Sequence, residues 1–174
     1  LPIQIKTTQG TLTVNLATLQ SFEPTYFLNG NVRIEQVPPV LSPAMEQLGQ
    51  QDFPAILAGK DNGVWMAWQE FEGESDSVYV KKLLPGGGWK SPSRIAEKID
   101  AFHVALSDDP SGRLWCIWSA QSANNWDLFG KYYEGGNWSR LQRLTDRAAP
   151  DIYHKTITDS QGRMWLVWQT FIDG

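Results

Sequence analysis

The chain has 174 residues, 41% of them hydrophobic, enough apolar side chain to build a core of ordinary domain size. A net charge of −4 and a pI near 5.1 argue against a nucleic-acid-binding surface, which needs a basic stripe. No apolar run approaches the roughly eighteen residues of a membrane helix. The single cysteine, Cys116, has no partner for an internal disulfide and reads as a small hydrophobe in mid-strand.

Residues 1–50 contain none of the nine tryptophans. Thr11–Leu16 alternates apolar and polar residues and Asn31–Val37 has the look of a second strand. A stretch with Pro38, Pro39 and Pro43 then leads on to Phe53. This part is expected to be a β-rich leader outside the repeat that follows.

From Phe53 onward the chain repeats with a period of about fifty residues. The marks are three tryptophan pairs: Trp65 and Trp68 in V-W-M-A-W, Trp115 and Trp118 in L-W-C-I-W, Trp165 and Trp168 in M-W-L-V-W. An extended stretch and an Asp/Asn/Gly turn precede each pair. After the first two pairs come a polar loop, another strand, a Gly-rich turn and a last strand. Trp89 matches Trp138, Lys82 matches Lys131, and Arg94 matches Arg143. Ser107 is matched with Thr158, which makes His103 and His154 equivalent, with Ala55 in their place in the first repeat.

Four short strands in each unit of this length are the content of one β-propeller blade. The expected fold is therefore all-β, with four-stranded antiparallel blades at 51–101 and 102–150, and the first half of a third at 151–174. Val64, Met66 and Trp68 lie on one strand face and Trp65 and Ala67 on the other, so the strand is expected to be covered on both sides. The eight repeat-related indoles read as packing between blades. Two and a half blades cannot close a ring, so the chain is expected to be a piece of a longer protein, with open blade edges through which copies could associate.

The run R-L-T-D-R-A-A-P-D-I-Y-H-K-T-I-T-D-S-Q-G-R-M-W-L-V-W resembles the repeats of TolB-like and sialidase-like (BNR-type) propellers of secreted bacterial proteins. The resemblance covers residues 52–174. It implies a secreted or periplasmic location and an innermost first strand in each blade; it implies little about activity, since propellers host many functions. The turns K-D-N-G-V-W, S-D-D-P-S-G-R-L-W and T-D-S-Q-G-R-M-W depart from the sialidase Asp box. Asp61, Asp108, Asp109 and Asp159 are expected to cap turns instead. Arg33 is only faintly like the arginine that opens such enzymes, and no sialidase activity is assigned.

Three groups of residues are candidates for a site. His103 and His154 are the only histidines and would lie near the mouth of a central channel, where imidazoles bind polar ligands, metals or protons. Trp126 falls outside the repeat; with Asn124, Asn125 and Asp127 it combines an indole with amides and a carboxylate, as a sugar site does. Glu70, Glu72, Glu74 and Asp76 alternate in one loop and offer oxygen ligands for calcium, but without the spacing of a known calcium loop, and a solvated loop is the favoured reading. No other cofactor is indicated. The motifs of metalloproteases, phosphate-binding loops, thiol redox centres and serine hydrolases are absent. The expected function is non-catalytic binding of a glycan or a protein; the alternative is the propeller part of a larger secreted hydrolase.

Overall fold

The computed structural model describes residues 2–7, 10–15 and 49–172. The chain forms two compact units, Leu1–Ala44 and Met45–Gly174. In the first, strands β1 (Pro2–Thr7) and β2 (Gly10–Asn15) make an antiparallel hairpin, with Pro2 opposite Asn15 and Thr7 opposite Gly10. The strand expected over Thr11–Leu16 is thus present as β2; the one expected over Asn31–Val37, and Arg33 with it, lies outside the described residues.

The second unit is all-β among the described residues, in three antiparallel sheets that follow the tryptophan repeat. The first holds β3 (Gln50–Ala58), β4 (Val64–Phe71), β5 (Asp76–Leu83) and β6 (Ser93–Ile99) in chain order. The second holds β7 (Ala101–Asp108), β8 (Leu114–Ser122) and β9 (Asn125–Glu134), with β10 (Asn137–Trp138) and β11 (Gln142–Arg143) both on the outer edge of β9. The third holds β12 (Asp151–Thr158) and β13 (Met164–Thr170).

Strand register defines which positions are equivalent, and it corrects the matches made from sequence. Leu57 faces Trp65, Ser107 faces Trp115 and Ile157 faces Trp165. The counterpart of Ser107 is therefore Ile157, and that of His103 is Tyr153 in the third repeat and Phe53 in the first. His154 matches Val104 and Pro54. The physical reason is that Trp pairing, not similarity of side chains, sets the register: one residue of slip exchanges the faces of a strand. Lys82 is likewise displaced. Lys81 faces Met66 and Lys131 faces Cys116, so Lys81 is the counterpart of Lys131.

Three of the four expected aspartates, Asp61, Asp109 and Asp159, cap the hairpin turns, whereas Asp108 meets Thr158 through its backbone amide and carbonyl; the capping device recurs. In the second repeat the Asp109 carboxylate accepts from the Arg113 amide at 3.0 Å, the Arg113 Nε at 2.6 Å and the Trp115 indole at 2.9 Å. Asp159 accepts from Arg163 and Trp165 in the same way, at 3.0, 2.8 and 2.9 Å. The first repeat has Gly59 at this position, and Asp61 caps the turn instead, accepting from the Gly63 amide and from Lys82.

Because opposed residues share a sheet face, the packing of the repeats reduces to faces. Ala55, Leu57, Trp65 and Ala67 of the first sheet pack on Val104, Leu106, Cys116 and Trp118 of the second. The Trp65 and Tyr133 rings lie 5.1 Å apart in that interface, and the Lys131 ammonium donates to the Ile95 carbonyl at 2.6 Å. The opposite face of the second sheet meets the third repeat through polar contacts: Ser107 Oγ to Thr158 Oγ1 at 2.8 Å, and Thr156 Oγ1 to the Leu106 carbonyl at 3.1 Å. Strand β7 thus lies between β3 and β12 although each belongs to a different sheet.

The indoles are not uniformly buried, contrary to expectation. Trp68, Trp115 and Trp118 are buried, whereas Trp165 is 53% and Trp168 38% exposed. The cause is positional: β13 carries the same residue pattern as β4 and β8, but among the described residues no sheet covers the face of Trp165, and no further strand pairs with β13 on the side away from β12, which leaves Trp168 at a sheet edge.

Candidate functional site

The first strand of every repeat carries a bulge at the same place. Register slips between Asp52 and Ala55, between Phe102 and Val104, and between Ile152 and Lys155. At each slip one non-glycine residue has a left-handed backbone: Phe53 at φ +50°, His103 at +59° and Tyr153 at +54°. A bulky side chain in that region costs about 1–2 kcal/mol, so the arrangement persists only where the surrounding structure enforces it. Bulges bend a strand and re-aim its side chains, often beside functional sites.

These three residues meet around Phe102. Its ring lies 4.8 Å from Phe53, 5.2 Å from Tyr153, 6.2 Å from His103 and 6.4 Å from Trp126. The Phe53, Tyr153 and Trp126 contacts are edge-on, a favoured geometry for aromatic pairs. Tyr153 is 49% exposed, so the cluster presents a ring to solvent. Beside it a cleft of about 240 Å³ opens between the first strands, lined among others by Phe53, Ile56, His103, Lys155 and Thr156. That volume is below the several hundred Å³ of a drug-sized pocket and suits a group the size of one small ring.

The structure brings together two candidates that were separate in the sequence, the histidines and Trp126. Trp126 is half-buried rather than exposed, with its indole against Phe102. Its neighbours serve the scaffold: Asp127 is fully buried and paired with Arg143 at 2.7 Å, and Asn125 donates to the Arg147 carbonyl at 2.7 Å. Asn124 is exposed in the β8–β9 turn with φ +65°. Phe53, Phe102 and Tyr153 were missed, because aromatic residues at strand starts are indistinguishable from core in sequence; the exact fifty-residue spacing of Phe53, His103 and Tyr153 was the available signal.

His103 and His154 are not equivalent, yet they touch, with ring centroids 5.2 Å apart and planes nearly perpendicular. His154 is fully buried; Nε2 lies 3.1 Å from the Ile117 carbonyl and Nδ1 3.3 Å from Ser119 Oγ. A carbonyl only accepts, so Nε2 carries the proton and Nδ1 accepts from the serine. Burial pushes the imidazole down to about 4, against the pull of the Ile117 carbonyl in the other direction. His103 is also held below its ordinary value, by burial first and then by the Lys155 ammonium, whose Nζ lies 3.1 Å from Nε2. Both imidazoles are therefore neutral near pH 7. His103 and Lys155, half-buried and exposed respectively, are the polar groups left facing the cleft.

The acidic loop does not gather its carboxylates. Glu70 is buried and accepts from the Trp68 indole at 3.0 Å and from Gln51 at 3.1 Å. Glu72 accepts from Tyr79, Ser77 and Arg94, and Asp76 from the Ala101 amide at 2.9 Å. Glu74 is exposed. Among the described residues no three His, Cys, Asp or Glu side chains are grouped to hold a metal ion. Nor is any helix among them long and apolar enough to cross a membrane.

No protein-family model matches the chain, and no curated protein matches it.

Proposed function

We propose that the three sheets are successive blades of β-propeller type, and that the chain is a non-catalytic recognition module of a secreted bacterial protein with a glycan as its ligand. The observation that carries the reading is the aromatic cluster at the bulges. Tyr153 and Trp126 flank Phe102, and the neutral His103 and the cationic Lys155 stand beside the small cleft. Aromatic faces with a few polar groups at their edge bind a sugar ring by stacking and hydrogen bonding. The blade reading is supported by β3, β7 and β12 lying side by side while their sheets pack face to face.

Acid–base catalysis by the histidine pair is poorly served by this geometry. Both nitrogens of His154 are engaged inside the protein, and a group titrating at about 4 exchanges few protons at neutral pH. His103 retains its hydrogen-bonding capacity and serves binding better than proton transfer.

A glycan array followed by titration calorimetry tests the reading. Trp126→Ala and Tyr153→Ala are expected to weaken binding at least tenfold, the loss of one stacked ring, with His103→Ala weaker in effect. Silence of the wild-type chain on the array, or equal affinity of the two aromatic variants and the wild type, would end it; a protein ligand captured through the same residues would keep the site and change the ligand.

A further inference from the structure

The second tryptophan of each pair is served differently in the three repeats. In the first, the Trp68 indole donates to the Glu70 carboxylate at 3.0 Å, and Gln51, opposite Glu70, donates to the same group at 3.1 Å. In the third, the Trp168 indole donates to Asp151 at 3.0 Å, and so does the hydroxyl of Thr170, opposite Asp151. The carboxylate stands on β4 in one repeat and on β12 in the other, but it belongs to the same cross-strand pair and serves the same indole. The equivalent pair in the second repeat is Ala101 opposite Ala120. There the side chain that holds the acceptor is reduced to a methyl group on both strands.

Trp118 is the indole so affected. An indole N–H only donates, and a buried one ordinarily has a partner. Trp118 is 1% exposed, yet its Nε1 has no acceptor among the described residues. Nor is that nitrogen sealed in: the sealed side-chain atoms without a partner, among the described residues, are Gln69 Oε1 and Asp151 Oδ2. Trp118 borders a cleft of about 260 Å³ between β6 of the first sheet and β8–β9 of the second. Ile95, Ile99, Ala120 and Phe129 wall it, with Leu141 at the rim, 54% exposed. The Lys131 ammonium on the same lining gives one hydrogen to the Ile95 carbonyl at 2.6 Å and carries two more. Glu97 also lines the cleft but is paired with Arg94 at 3.0 Å, so Lys131 supplies the charge that is left uncompensated.

We infer that this cleft binds a small carboxylate with an apolar body, its carboxylate accepting from Trp118 Nε1 and its hydrocarbon part lying on Ile95, Ile99 and Phe129. Such a ligand gives the second repeat the carboxylate–indole pair that Glu70 and Asp151 build into the other two. A carboxylate fits better than a neutral acceptor, because a bond to an ionised group is the stronger one and Lys131 adds a cation beside it. The volume, below that of a drug-sized pocket, suits one ring with one substituent. This cleft shares no lining residue with the aromatic cluster or the cleft beside it, so the inference stands or falls apart from the glycan reading.

Titration of the full chain with benzoate, followed through the tryptophan indole N–H signals in proton–nitrogen NMR, tests it. Benzoate at up to roughly 10 mM, tenfold above a millimolar Kd, is expected to move one indole signal downfield as the hydrogen bond forms. Trp118→Phe is expected to lack that signal and to bind benzoate at least about tenfold more weakly, since it deletes a donor to a charged group. The double variant Ala101→Gln, Ala120→Glu writes the first-repeat pair into the second. It is expected to shift the same signal without benzoate and to give no response when benzoate is added. Benzyl alcohol, of similar size and uncharged, is expected to bind at least about tenfold more weakly than benzoate. The inference is overturned if benzoate moves no indole signal, if the signal that moves persists in Trp118→Phe, or if benzyl alcohol binds as tightly as benzoate.

Discussion

His154 of the third repeat donates its Nε2 proton to the backbone carbonyl of Ile117 in the second, 3.1 Å away, with no exposed surface on the ring. The imidazole thus joins two sheets as a neutral group. Its pKa lies near 4 in the folded chain against an ordinary 6.5, so between those values the unfolded chain binds the extra proton and stability falls as pH falls. The effect is absent above pH 6.5 and complete below about 4, at up to roughly 3 kcal/mol. His103 acts in the same sense. Urea denaturation across pH 7.5 to 4 should show this slope, and His154→Gln should flatten it; a slope unchanged in the variant would remove His154 as the cause.

Asp109 and Asp159 occupy one repeat position with one set of partners, but the Asp109 side chain is 5% exposed and that of Asp159 23%. Asp109→Ala leaves the Trp115 indole and the Arg113 amide without their acceptor in a buried turn, at an expected cost of about 2–3 kcal/mol. At Asp159 water replaces the lost acceptor, and the loss should be plainly smaller. Chemical denaturation of the two variants followed by tryptophan fluorescence measures the difference; equal losses would contradict the role of burial.

Ala67 faces Val80 in the first sheet, and at the equivalent place Ile117 faces Gly130 in the second. The two pairs divide a similar volume in opposite ways. A Cβ added to Gly130 would meet the Cys116 carbonyl oxygen at 3.1 Å and Ile117 Cγ1 at 3.3 Å. Gly130→Val should therefore cost about 1–3 kcal/mol or more by overpacking. Ile117→Ala should cost about 2–5 kcal/mol by leaving a cavity. Combined, they recreate the first-sheet pair, and the double variant should be at least about 1 kcal/mol more stable than the sum of the two losses. Strict additivity in a double-mutant cycle would refute the exchange.

Tyr153 combines a left-handed backbone with an exposed ring, which is a poor way to gain stability. Tyr153→Gly relieves about 1 kcal/mol of backbone strain and gives up one exposed aromatic contact. Its stability should stay within about 1 kcal/mol of wild type while glycan binding is lost. A large loss of stability would make the bulge residue a structural member and not a presented one.

The sequence by itself determined the repeat, the all-β class, the strand-turn order and the capping role of Asp109 and Asp159. These follow from local chemistry: a turn aspartate finds its donors at Arg113 and Trp115 within one hairpin, and alternation makes apolar strands legible. Register was decided by pairing across strands. Matching Ser107 with Thr158 aligned His103 with His154, whereas the partners of Trp115 and Trp165 align it with Tyr153. Only the tertiary structure placed Phe53, Phe102, Tyr153 and Trp126 in one cluster, since residues of β3, β7, β12 and β9 meet through sheet packing that no local signal encodes. It alone also separated indoles of identical motif into buried and exposed. Trp115 and Trp165 sit in matching hairpins, and what differs is whether another sheet lies against them.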